Sequence, residues 1–202
     1  AGASLAELDD YVDDLLAARR AAPRGDFLSD YAESVAESDL SADEVRAQIT
    51  SVILAGADTT RMALCSTFSQ LLQRPEQWRA LCADPDGLKA GAAAEGLRFD
   101  PVIGSLPRVA IREFELSGVR VPEGAVLAPL VIAALRDPEV YAEPGRFDIH
   151  RTDHPRYHPV FGAGAHRCLG EALARAELEE ALAVLARASA SPGTGATSIR
   201  ST

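Results

Sequence analysis

The chain has 202 residues, with 20 Lys and Arg against 30 Asp and Glu, for a formal net charge of −10. Nucleic acid and anionic membrane surfaces repel an acidic chain, so both are excluded as general partners. Three cysteines, Cys65, Cys82 and Cys168, are too few and too scattered for a disulfide framework and fit a reducing cytoplasm.

The length suffices to bury a real core and is read as one domain. The longest apolar run, Val52 to Ala57, is too short to span a bilayer, and no charged-then-apolar stretch opens the chain, so a soluble protein without membrane contact is expected. The opening Ala1-Gly2-Ala3-Ser4 has no initiator methionine, which points to a piece of something longer.

In chain order, Leu5, Leu8, Val12, Leu15 and Leu16 predict a helix from Leu5 to Arg20, ended by Pro23 and Gly25. A short helix follows from Phe27 to Ser38. Ser41 to Glu44 reads as a capping box, with Leu40 and Val45 placed as a hydrophobic staple. The helix it opens keeps its apolar pattern as far as Leu72, before Pro75, and so runs roughly 30 residues, or ~45 Å. Pro75 to Cys82 and Leu88 to Phe99 read as two more helices. Gly96 inside the second is a weak helix former and predicts a less firm helix.

From Pro101 the pattern changes to short β-prone runs, Val109 to Leu116, Val119 to Val121 and Ala125 to Ile132. With Ser117-Gly118 and Pro122-Glu123-Gly124 between them, they predict a small antiparallel meander. Residues 137–159 lack periodicity and read as an irregular loop. A last helix is predicted from Leu169 to Arg187, and the Ser/Thr/Gly-rich residues 190–202 are expected to be disordered. The fold class is therefore mainly α with a small antiparallel β region, with the folded part ending at residue 189. No internal repeat stands out.

Three places carry candidate chemistry. Midway along the long helix, Ala55-Gly56-Ala57-Asp58-Thr59-Thr60 interrupts the apolar pattern with a glycine, a carboxylate and two hydroxyls, which is either an exposed polar face or a built site. Glu95 and Arg98, three apart, can pair across one helix face; in isolation such a pair reads as solvated. The third is Phe161 to Gly170, FGAGAHRCLG, which sets Cys168 in a glycine-rich loop at a helix start. Gly162 and Gly164 permit positive φ and close approach of backbone to a flat ligand. The helix N-terminus favours a metal-binding thiolate, so Cys168 is expected to be ionised. A lone cysteine otherwise reads as a small buried hydrophobe, and a Cys168/His166 nucleophile and base pair is a further alternative lacking an orienting third group.

The loop resembles the haem-binding signature of the cytochrome P-450 family, with Phe161, Gly162, Gly164, His166, Cys168 and Gly170 at the family's spacing. Ala55, Gly56, Asp58 and Thr59 resemble its distal helix, and Glu95 with Arg98 its buried lock. The resemblance implies a partial cytochrome P-450 fold, the N-terminal half being absent. It makes Cys168 the axial ligand of the iron of haem b, pushing electron density onto the metal to favour O–O cleavage. Arg108 and His166 would be propionate partners, and Gly56 would leave room for O2. Asp58 and Thr59 would be the catalytic proton relay, because splitting dioxygen needs protons that a dry helix surface lacks. Arg146 would complete the lock from the loop before the cysteine.

The implied activity is insertion of one oxygen atom from O2 into a small organic substrate. Electrons would come from NAD(P)H through a ferredoxin-type carrier and its reductase. The contrasting readings are a haem-binding fragment without turnover and a helical scaffold that binds no cofactor.

Overall fold

The computed structural model describes residues 2–155 and 157–190. The expected disordered tail lies outside them, apart from Ala190, which ends the last helix. The chain separates into two compact units, residues 1–58 and 59–202.

The first unit holds α1 (Gly2–Ala21), α2 (Phe27–Ser34) and the first part of α3 (Ala42–Leu72). Val12 and Leu16, one turn apart on α1, bury against Ala32, Val45 and Ile49. Asp26 caps α2 by accepting the Ser29 N–H at 2.9 Å, and the capping box at α3 forms as expected. There the Ser41 N–H donates to Glu44 Oε2 at 2.8 Å and the Glu44 N–H to Ser41 Oγ at 3.3 Å. α2 ends at Ser34, short of the expected Ser38. The Ser34 and Ser38 hydroxyls donate to the Tyr31 and Val35 carbonyls, and the backbone tightens to i→i+3 bonds there.

α3 is continuous over 31 residues, close to the length read from its pattern, and the boundary between units falls within it after Asp58. In the second unit, the rest of α3, α4 (Pro75–Ala83), α5 (Pro85–Phe99) and α7 (Glu171–Ala190) share a core that includes Leu71, Leu81, Leu97, Ile149, Leu178 and Leu182. α5 and α7 make the most extensive pairing, rimmed by the ion pairs Lys89–Glu180 and Arg187–Asp86.

The β region differs from a simple meander. β2 (Phe114–Leu116) and β3 (Val119–Val121) form a hairpin whose turn residues Ser117 and Gly118 both have positive φ, 48° and 79°, as a type I′ turn requires. β1 (Arg108–Val109) pairs instead with β4 (Val126–Leu127), outside that hairpin. The chain bends at Ile111 and Arg112, so the run from Val109 to Leu116 is two strands. Ile132, expected in a strand, lies in the short helix α6 (Val131–Ala134). Burying Val131 and Leu135, one turn apart, against Tyr141 overrides the β propensity of Val131 and Ile132.

No regular helix or strand occupies residues 137–155, as expected. Among the described residues no helix is long and apolar enough to cross a membrane.

Candidate functional site

The cysteine loop is built from two short 3-10 turns, Pro159–Phe161 and Gly164–His166. His158 caps the first, its Nδ1 accepting the Val160 N–H at 3.4 Å. Gly162 and Gly164 have φ of 73° and 77°, so both glycines predicted to need left-handed backbone adopt it. The Cys168 N–H donates to the Phe161 carbonyl at 2.8 Å, and Arg167 Nη1 donates to the Gly162 carbonyl at 2.8 Å while pairing with Glu171 of α7. Val160 and Phe161 pack on the core of the second unit, and the Arg175 guanidinium lies 5.0 Å from the Phe161 ring.

Cys168 is exposed, which rules out the buried-hydrophobe reading. Leu169 and Leu173 beside it are also exposed, unusually for leucines on a structured loop and helix start. The Ala174 N–H bonds to the Gly170 carbonyl and the helix opens at Glu171, three residues after the cysteine and not at Leu169. A Cβ at Gly170 would stand 4.0 Å from the Cys168 Sγ. No hydrogen bond joins Cys168 to His166, which is exposed, so the nucleophile and base pair does not form among the described residues.

Arg108 opens β1 and is exposed, its Nη1 donating to the Pro107 carbonyl at 2.9 Å. The segment before it meets the cysteine loop: the Leu106 Cδ1 is 3.8 Å from where a Cβ of residue 162 would stand. Gly56, Asp58 and Thr59 are exposed on α3, and nothing lies within 4 Å of a Cβ built at Gly56. Gly56 and Asp58 belong to the first unit, Thr59 and the cysteine loop to the second.

Glu95 and Arg98 are 0% exposed, so the solvated-pair reading fails. Arg98 uses all five N–H donors: Nε and Nη2 reach Glu95 Oε2 and Oε1 at 2.6 and 2.8 Å, and the others reach the carbonyls of Leu135, Pro144 and Arg146 at 2.8–3.0 Å. The expected third member is corrected. Arg146 supplies only its carbonyl, and its side chain is 60% exposed. Arg151, at 6%, is the arginine beside Glu95, with Nε 3.3 Å from Oε2 and Nη1 held by Asp153 at 2.9 Å. The Asp148 N–H also donates to Glu95 Oε1, at 2.8 Å.

A row of buried and half-buried rings connects this lock to the cysteine loop, and sequence reasoning missed it. Centroids of Tyr141 and His154 lie 6.1 Å apart, those of His154 and His158 6.2 Å, and those of His158 and Phe161 6.1 Å. Burial, aided by the Arg175 charge, pushes the His158 imidazole down to about 3, and burial lowers His154 against the opposing pull of Glu95. Burial raises the Tyr141 phenol. The two histidines stand four apart in an irregular segment, where no periodicity announces burial.

The described residues thus combine an exposed thiol on a glycine loop before a helix with a mainly helical frame and a buried Glu–Arg lock. The sequence matches the cytochrome P450 family over residues 5–86 and 91–188, and the chain belongs to that family. It is 45% identical to the plant-inducible cytochrome P450-pinF1 of Rhizobium radiobacter, over 92% of this chain and 44% of that protein. It is 40% identical to pentalenic acid synthase of Streptomyces avermitilis, over 89% of this chain and 44% of that protein. The crystal structure of CalO2 superposes with a TM-score of 0.86 at 36% identity, covering 92% of this chain and 46% of that one. The chain thus spans under half the length of these relatives and is a partial P450 fold.

Proposed function

We propose that this chain is the cysteine-bearing part of a cytoplasmic haem-thiolate monooxygenase that inserts one oxygen atom of O2 into a small organic substrate. A ferredoxin-type carrier and its reductase bring electrons from NAD(P)H. The observation that carries the reading is the exposed Cys168 thiol on a loop whose two glycines are left-handed and lack side chains.

These residues fit haem. Cys168 offers one soft thiolate ligand, Gly162 and Gly164 let backbone approach a flat ring, and exposed Leu169 and Val109 offer apolar contact. Exposed Arg108 and His166 are donors suited to the two propionates. When bound, the haem iron supplies oxygen activation, which a thiolate ligand favours by donating electron density.

The rest of the chemistry falls to the chain. Inserting one oxygen atom into a C–H bond sends the other to water and consumes two electrons and two protons. Asp58 and Thr59 on α3 hold and pass those protons, the carboxyl taking them from solvent and the hydroxyl handing them on. Gly56 keeps that stretch of helix surface open for O2, since no side chain projects there.

A second reading, a haem-holding fragment without turnover, is favoured by the chain spanning under half of its relatives. Haem titration of residues 1–202, followed by the reduced carbon-monoxide spectrum, tests both. The haem reading requires the red-shifted band of thiolate ligation, lost in Cys168→Ser and kept when Cys65 or Cys82 is replaced by Ala. A band unchanged in Cys168→Ser overturns it. Coupled substrate oxidation by the same preparation separates enzyme from fragment.

A further inference from the structure

The buried histidine at the entrance to the cysteine loop has no part in the proton relay or in ligation. We infer that His158 is a positioning residue for Cys168, holding the Phe161 carbonyl from which the cysteine N–H hangs. The inference rests, for its functional meaning, on the reading of Cys168 as the iron ligand.

His158 is only 1% exposed, a rare state for a histidine without a strong polar partner. Burying it must be offset by contacts, and two of them reach into the cysteine loop's entrance. Its Nδ1 accepts the Val160 N–H, which the 3-10 turn would otherwise leave unpaired. Its ring meets that of Phe161 edge to face at a 69° interplanar angle, which blocks the Phe161 ring from swinging inward.

The next link is covalent and short. Phe161 presents its carbonyl to the Cys168 N–H at 2.8 Å, across a loop whose only other described internal tie from a side chain is Arg167 to the Gly162 carbonyl. A shift of Phe161 therefore moves the anchor of the cysteine backbone. An apolar residue at 158 would fill the space but strand the Val160 N–H, and a hydroxyl would satisfy the N–H but not reach Phe161. Imidazole does both. The ring also lies beside the Ala94 backbone of α5, the helix of the Glu95–Arg98 lock, and its Nε2 closes no hydrogen bond.

The test uses residues 1–202 without haem, measuring amide hydrogen exchange residue by residue. His158→Ala is expected to speed exchange of the Cys168 amide about tenfold while Leu182 in α7 keeps its rate. His158→Asn, which restores an acceptor at the cap but not the ring against Phe161, is expected to recover part of that protection. Unchanged Cys168 exchange in His158→Ala, or equal acceleration throughout the second unit, overturns the inference. Should the Ala variant not fold, His158→Phe carries the test: it fills the space without an acceptor, so faster Cys168 exchange supports the role and an unchanged rate overturns it. Because no haem is present, this result is independent of the Cys168→Ser spectrum, and either reading can fail alone.

Discussion

Thr67 occupies the space that a side chain on Gly96 would need: a Cβ at residue 96 would stand 2.0 Å from the Thr67 Oγ1 and 2.6 Å from its Cβ. Both residues are buried, and α5 runs unbroken through Gly96 to Phe99. The glycine expected to loosen this helix instead allows α3 to press against it one residue from Glu95. Gly96→Ala, which would gain up to about 1 kcal/mol in an isolated helix, is therefore expected to lose about 1–3 kcal/mol here through overpacking. Urea unfolding measures it, and Thr67→Ala in the same chain should relieve part of the loss.

Arg146 and Arg151 give opposite expectations although only four residues separate them. Arg146→Ala removes an exposed side chain and leaves its carbonyl in place for Arg98, so the cost should stay within about 0.5 kcal/mol. Glu95→Ala leaves the buried Arg98 charge without its partner and should cost about 3–5 kcal/mol, while Arg151→Ala leaves Glu95 paired with Arg98 but removes a buried second cation and should cost about 1–3 kcal/mol. The two unfolding midpoints, compared in one denaturant series, decide which arginine belongs to the lock.

His158 makes stability depend on acid. Its folded value, about 3, is below the ordinary 6.5, so the unfolded chain binds the proton more readily. Stability from this group is complete above pH 6.5 and falls as pH drops toward 3, by up to about 1.4 kcal/mol per pH unit. His154, also lowered by burial, adds in the same direction. Thermal melts from pH 7 to 4 should show a slope that His158→Asn reduces.

In a haem-loaded protein supplied with its reductant, Thr59→Ala should retain the thiolate spectrum and divert reducing equivalents from product to hydrogen peroxide. Peroxide and product counted against NAD(P)H consumed measure it. Product still fully coupled to NAD(P)H would assign the proton relay elsewhere.

How much was legible in the chain varies with the range of the signal. The capping box at Ser41 and Glu44, the long helix to Leu72 and the left-handed glycines at 162 and 164 all depend on residues within a turn or two of one another, and each appears where its pattern placed it. The β region was legible only in part. The Ser117-Gly118 turn formed, but the bend at Ile111 and Arg112 and the burial of Val131 depend on what packs beside them.

By itself, the sequence determined the order of elements and the cysteine loop, because helical periodicity, caps and turn residues act through local backbone geometry. Tertiary structure alone decided which arginine reaches Glu95, why Gly96 must lack a side chain and that His158 is buried beneath the loop. Those outcomes join residues roughly 30 to 60 positions apart, and two of them depend on the segment between 137 and 158, which has no repeating pattern. Its path is set by where Arg98 and Glu95 find donors and acceptors in the folded chain, and no local signal encodes that.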